Sequence, residues 1–293
     1  MIHRIEGVFC CMPEFSIRIK MHPLWVVMAI LALLHGYLLD FILLFLVIVL
    51  HEIGHAVAAQ SYGYRIAEIE IFPFGGVANL EGRQIGYYAR EETIIALAGP
   101  FVNLLLGIVV SILHGSGLLP DMIAQQLVTI NATIGIINLL PALPLDGGRI
   151  ARAYLADEIG FDRATKAVTA MSYRIAIALM LVGMVAFFFG YADVGLFLLG
   201  VFLLISTLLY QRKHKVETLR FLNEKRNLAQ AILPVKTIAI SENATLQEIT
   251  SYFSPDYYHF IYILESKKII AQDMVLDGIF TANGWHQPIK SLL

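Results

Sequence analysis

The sequence predicts an α-helical polytopic membrane protein: six transmembrane helices, a small β hairpin on the cytoplasmic side, and a small C-terminal α/β domain. Three observations carry this. The 293 residues are 58% hydrophobic and 15% charged, with a mean hydropathy of +0.70; a soluble domain has about 25% charged residues. Six apolar runs, at 21–39, 41–60, 92–113, 122–143, 175–190 and 194–210, approach the roughly 20 residues that cross hydrocarbon. All 21 lysines and arginines lie before the first run, between the second and third, between the fourth and fifth, or after the sixth. Positive residues stay in the cytoplasm, so both termini are expected there.

Residues 1–20 are expected to form a cytoplasmic segment. They are not read as a signal peptide, because Glu6 and Glu14 precede the first apolar run and no small-residue cleavage site follows it. Cys10 and Cys11 are the only cysteines and are adjacent, so they make no disulfide framework. A net charge of −2 argues against nucleic acid as a partner. Residues 21–210 form the membrane domain, 211–232 a charged amphipathic linker, and 233–293 the cytoplasmic tail domain.

The second run carries the chemistry. "FILLFLVIVLHEIGHAVAAQ" is apolar until His51, Glu52 and His55. Residues at i and i+4 share a helix face, so the two imidazoles stand side by side with Glu52 next to the first. Two histidine ligands and a glutamate that takes a proton from metal-activated water is the zinc-protease pattern. The plainer reading has each histidine hydrogen-bonded to a neighbouring helix. Three ionisable groups within five residues of a membrane helix count against it, since each is costly in hydrocarbon. A membrane zinc transporter would also use intramembrane His and Asp, but would not need Glu52. A non-proteolytic interaction protein with a degenerate site is the other alternative.

A catalytic zinc takes three protein ligands. "NLLPALPLDGGRI" ends the fourth run and offers Asp146 on the cytoplasmic side, where His55 also lies. Pro141 and Pro144 interrupt regular helix there. Non-helical backbone at that depth is expected inside protein or beside a wet site. Asp146 could instead be a turn residue before Gly147 and Gly148, and Glu91 and Glu92 are rival ligands. Asn138 and Pro144 are candidate substrate contacts; for Asn138, interhelical hydrogen bonding is the alternative. Asn103 reads as a brace between helices. Residues 64–82 read as strand, turn, strand, with Phe74, Gly75 and Gly76 as candidate substrate contacts. An edge strand there, within 69–74, would hold an extended peptide by strand addition.

The tail reads as strand, helix, two strands joined at Ser266-Lys267, and helix. Thr245 followed by Glu248 is a capping-box signature.

These motifs resemble the site-2 protease family of intramembrane metalloproteases. HEIGH, "FPFGGV" at 72–77, "AGPFVN" at 98–103 and "NLLPALPLDG" at 138–147 match that family's pattern across roughly residues 20–210. The resemblance implies Zn2+ held by His51, His55 and Asp146, with Glu52 as the catalytic base. No insertion large enough for a PDZ domain separates the runs. The tail resembles a single CBS motif, which implies an adenosine nucleotide such as ATP and pairing between chains, hence a homo-oligomer; a tail used only for docking is the alternative. A protease core with such a tail resembles the sporulation branch. That implies cleavage of the precursor of sporulation sigma factor K in the mother-cell membrane around the forespore. It also implies two inhibitory membrane partners, stage IV sporulation protein FA and bypass-of-forespore protein A.

Overall fold

The computed structural model describes residues 18–21, 23–72, 75–81, 88–190, 194–226, 233–280 and 284–292. A short strand β1 (Arg18–Met21) leads into α1 (Leu24–Leu34) and α2 (Leu38–Ser61). The hairpin β2 (Arg65–Phe72) and β3 (Gly75–Glu81) follows, then α3 (Ala89–Gly115), α4 (Asp121–Asn138), α5 (Asp146–Ile159), α6 (Phe161–Phe188) and α7 (Gly195–Arg226). The tail is β4 (Val235–Ile240), α8 (Leu246–Thr250), β5 (Tyr258–Ile263), β6 (Ile269–Ala271) and α9 (Gln272–Phe280), closed by two 3₁₀ turns.

Among the described residues, four helices are long and apolar enough to cross a membrane: α2, α3, α6 and α7. Two of the six expected spans fall short. The first apolar run is divided, because β1 takes its start and a turn through Gly36 (φ +79°) separates α1 from α2. The 11 residues of α1 reach only about 16 Å, against roughly 30 Å of hydrocarbon. In α4, Gln125, Gln126, Thr129, Asn131, Thr133 and Asn138 dilute the apolar character. Asn131 is turned inside, where its backbone carbonyl accepts from Asn103 of α3. Large apolar side chains such as Leu104, Ile112, Leu181 and Phe188 remain exposed, as a lipid-facing surface requires.

The hairpin is present, and it is the larger part of a three-stranded sheet in the order β1-β2-β3. β2 pairs in parallel with β1 (Arg18 to Glu68, Met21 to Ile71) and antiparallel with β3 (Arg65 to Glu81, Phe72 to Gly75). The expected edge over 69–74 is therefore corrected: residues 69–71 lie in the central strand, paired on both sides. Among the described residues the edge strands are β3 and β1. Phe74 lies outside the described residues. Both β2 and β3 contact α2.

The stretch after Tyr210 does not break the helix, and α7 continues to Arg226. Its end joins the tail. Phe221 and Leu222 pack with Phe161 of α6 and with Leu246, Ile249, Phe253, Ile261 and Val275 of the tail. At the α5–α6 turn, Gly160 has φ +94°, and a Cβ there would lie 2.5 Å from the Ser251 carbonyl oxygen. Only glycine suits both constraints. The Phe161 amide then donates to Phe253 O at 3.0 Å, and Lys236 Nζ to the carbonyls of Asp157 and Glu158 at 2.8 and 2.9 Å. The tail thus clamps the C-terminal end of α5.

Within the tail, β4 pairs in parallel with β5, and β5 antiparallel with β6, in the element order read from sequence. The capping box forms: Glu248 N donates to Thr245 Oγ1 and Thr245 N to Glu248 Oε2. His259 is fully buried and must be neutral. Its Nε2 accepts from the Ser254 amide at 3.2 Å, and its Nδ1 faces Gln272 Oε1 at 3.2 Å. Burial, with Lys225 and Lys236 adding to it, pushes its pKa down to about 3. The unfolded chain takes up that proton near 6.5, so the native tail loses stability as pH falls from about 6.5 towards 3. The slope should approach about 1.4 kcal/mol per pH unit. Thermal unfolding of the tail in the detergent-solubilised chain, followed against pH, should show it, and His259→Gln should remove it. An identical pH profile in that variant would contradict this account.

Candidate metal centre

His51 and His55 share one face of α2 and lie under α3. Small residues let the helices come this close. A Cβ at Gly54 would sit 2.8 Å from Val102 Cγ2 and 2.9 Å from the Ala98 carbonyl oxygen. A Cβ at Gly99 would sit 2.4 Å from His55 Nε2 and 2.6 Å from His51 Nε2. Gly99 therefore roofs the two imidazoles, and its missing side chain makes the space between them. In α3 the next residue is Pro100, which has no amide hydrogen to return to the preceding turn.

Asp146 reaches the same point from elsewhere. Residues 139–145 are non-helical between α4 and α5. Their backbone is satisfied by protein: Leu143 N donates to Ser172 Oγ at 2.7 Å, and Thr207 Oγ1 donates to Leu143 O at 2.9 Å. Ala142 and Leu143 are fully buried, so at these two residues the segment is packed in protein rather than water-lined. The double glycine that follows is steric. A Cβ at Gly147 would lie 2.2 Å from Leu139 O, and one at Gly148 2.4 Å from the Ala142 carbonyl carbon. Asp146 is the first residue of α5, where the helix dipole favours a carboxylate.

The three side chains converge. His55 Nε2 is 3.1 Å from His51 Nε2, Asp146 Oδ2 is 3.2 Å from His51 Nε2, and it is 3.1 Å from His55 Nε2. His51 and Asp146 are buried and His55 is half-buried. Zinc bonds of about 2.0 Å in tetrahedral geometry put ligand atoms about 3.3 Å apart, so the triangle has the size of one tetrahedral face. The lone pairs agree. His55 Nδ1 is 2.7 Å from the Ile95 carbonyl, which can only accept. In the neutral ring Nε2 is then bare, and it faces a carboxylate oxygen. Asp146 Oδ2 is buried and receives no hydrogen bond among the described residues. A cation at the centre satisfies all three atoms together. The residues present fit a zinc ion.

Other polar groups hold this set in place. His51 Nδ1 is 3.3 Å from Asn103 Oδ1. Arg149 Nη1 is 3.5 Å from Asp146 Oδ1, the oxygen turned away from the histidines. Glu52 is half-buried and near enough to His55 to act on it electrostatically. The rival carboxylates are committed elsewhere: Glu92 to Arg152 and, at 3.8 Å, to Arg149; Glu91 to the Tyr64 hydroxyl at 2.5 Å. Among the described residues, His51, His55 and Asp146 are the one set of His, Cys, Asp and Glu with the spacing of a metal site. Of the candidate substrate contacts, Asn138 Nδ2 donates within its own helix to Ile134 O at 3.1 Å, and Pro144 is exposed. Gly75 and Gly76 open β3. Gly99 and Arg149 stand inside the quoted stretches at 98–103 and 138–150, but the sequence alone assigned neither a role at the site.

Comparisons with known proteins agree with this geometry. The sequence profile of peptidase family M50 matches residues 40–119 and 116–183. A zinc metalloprotease of Methanocaldococcus jannaschii is 30% identical over 238 residues, which are 78% of this chain and 65% of that relative's length. The chain thus spans just under two thirds of that relative. Stage IV sporulation protein FB of Bacillus subtilis is 25% identical over 289 residues, 96% of this chain and 97% of that protein. Among solved structures, the site-2 protease from Methanocaldococcus jannaschii superposes with a TM-score of 0.53 at 31% identity, over 67% of this chain and 92% of that one. On sequence, fold and the meeting of its two histidines with a distant aspartate, the chain belongs to peptidase family M50, the site-2 proteases, which are intramembrane zinc metalloproteases.

Proposed function

We propose that the chain is an active zinc endopeptidase that cuts a membrane-associated protein substrate near the cytoplasmic face of a bacterial membrane. The observation that carries this is the triangle of His51 Nε2, His55 Nε2 and Asp146 Oδ2 beside Glu52. In this reading those three residues hold the ion. Zinc bound there would acidify water and polarise the scissile carbonyl. Glu52 accepts the proton of the attacking water on its carboxylate and returns it to the leaving amine nitrogen. Asp146 stays ionised, held by Arg149 and by the N-terminal end of α5. The topology that goes with this has α1 and α4 complete six crossings, with both termini cytoplasmic.

Likeness to a stage IV sporulation protein over nearly the whole chain supports a sporulation role. The substrate is then the precursor of sporulation sigma factor K, cut in the mother-cell membrane around the forespore. Stage IV sporulation protein FA and bypass-of-forespore protein A are the inhibitory partners. The tail acts as a CBS-like unit that takes ATP and pairs between chains. Co-expression with that precursor, scored for a Glu52-dependent size shift, tests the substrate. An intact precursor beside a zinc-replete enzyme would refute it, and zinc flux without cleavage would favour a transporter.

The open edge of β3 is where an extended substrate adds as a strand. Successive amides of β3 alternate between β2 and that edge. Of Val77→Pro and Ala78→Pro, one removes an outward donor while keeping the pairing to β2. That variant should cut more slowly, by about tenfold, at unchanged zinc content, the loss of one hydrogen bond. Full activity in both variants would rule out strand addition.

A further inference from the structure

Asn103 sits between His51 and α4, fully buried at 2% exposure. Its amide has two ends with different chemistry, and the two neighbours decide which end faces which. Asn103 Nδ2 is 3.4 Å from the backbone carbonyl of Asn131 in α4. A carbonyl can only accept, so the NH2 end must face α4. The oxygen end then faces His51 Nδ1, at 3.3 Å. An oxygen acceptor there requires a hydrogen on Nδ1. In a neutral imidazole that leaves Nε2 bare, and Nε2 is the atom that points at His55 and Asp146.

We propose that Asn103 is a positioning residue for the metal: it fixes the tautomer and the ring orientation of His51, using the Asn131 carbonyl of α4 as its reference. This rests on the zinc reading of the site. The two histidines are then oriented by different means. His55 Nδ1 donates to a backbone carbonyl, that of Ile95, which no substitution of a side chain removes. His51 depends on a side chain, so its orientation is open to mutation. The alternative is that Asn103 only braces α3 against α4. The two roles differ in what they ask of the amide. Bracing needs only the NH2 end, whereas positioning needs the oxygen end, with the NH2 end deciding which way the amide is turned.

The test measures zinc affinity by chelator competition on the solubilised full chain, with the visible spectrum of the cobalt-substituted protein as a second readout. Asn103→Leu removes both ends at nearly constant size. It should weaken zinc by about 10- to 100-fold and alter the cobalt spectrum, with thermal stability lost mainly in the zinc-loaded form. Asn103→Asp keeps the acceptor and loses the donor, and should hold zinc within a few-fold of wild type. Wild-type affinity and spectrum in Asn103→Leu overturn the inference. So does an Asn103→Leu variant that loses as much stability metal-free as zinc-loaded, because that is bracing. His51→Ala is the control for the site itself. Zinc retained there refutes the metal centre, whereas zinc lost there but kept in Asn103→Leu refutes only the role of Asn103.

Discussion

Replacing Glu52 by glutamine is expected to leave zinc content unchanged and to reduce peptide cleavage by about a thousandfold or more. The side chains have the same length, so the half-buried position beside His51 on α2 is refilled without a cavity. The three atoms that converge on the ion belong to His51, His55 and Asp146, and glutamine disturbs none of them. What changes is proton chemistry. A carboxylate takes the proton of the attacking water and gives it to the amine; an amide does neither at neutral pH. Zinc would be counted by mass spectrometry, and cleavage followed as a size shift of a co-expressed substrate. Retained proteolysis with full zinc would sink Glu52 as the base. Loss of zinc together with activity would instead make Glu52 part of the metal's own support.

Parts of this site were open to sequence reading because their geometry is local. The i, i+4 spacing of His51 and His55 defines one face of a helix before any packing is known. Asp146 was legible only as the partner that two histidines require, since 90 residues separate it from His55. Its arrival depends on Ser172 and Thr207 holding the non-helical 139–145 segment, and those serve as hydrogen-bond partners that no motif reveals. The central place of β2 was hidden because its second partner, β1, is only four residues, ending at the first residue of the first apolar run. The first and fourth runs form shorter or more polar helices than their apolar content suggests, for a related reason. Apolar content alone does not show where a run is cut by a strand and a turn, as in 21–39, or diluted by amides of which Asn131 alone is buried, as in α4.

Gly99 is the most informative of the residues that the sequence placed in a motif without giving them a role. Glycine offers no ligand atom, so a search for chemistry passes over it. A signal was nevertheless present. Gly99-Pro100 inside an otherwise apolar helix breaks local preference twice, at about 1 and 3 kcal/mol relative to alanine, and such a violation marks a place where something else is being served. Here it is the approach of α3 to two imidazoles.

Gly99→Ala should therefore abolish metal binding, although it is the mildest substitution available. Its methyl would occupy a point 2.4 Å from His55 Nε2 and 2.6 Å from both His51 Nε2 and His55 Cε1. Neither ring can simply retreat. His55 is tied through Nδ1 to Ile95 O at 2.7 Å, and His51 faces Asn103 at 3.3 Å. Nor can the helices part cheaply, since α2 and α3 pack so closely that a Cβ at Gly54 would lie 2.9 Å from the Ala98 carbonyl oxygen, and that packing would be lost. The cheaper relief is rotation of the imidazoles out of the site, which removes two of the three ligands. Zinc affinity should fall by at least about a hundredfold, more than loss of a single supporting contact, and cleavage should fall below detection. Folding should survive, because alanine favours helix over glycine by about 1 kcal/mol and partly offsets the strain. Gly107→Ala is the matched control: it lies in the same helix, and a Cβ there meets nothing within 4 Å. It should bind zinc and cleave as wild type does. A zinc-replete, active Gly99→Ala enzyme would show that α3 does not roof the site at this distance, and the close crossing at Gly54 would have to be abandoned with it.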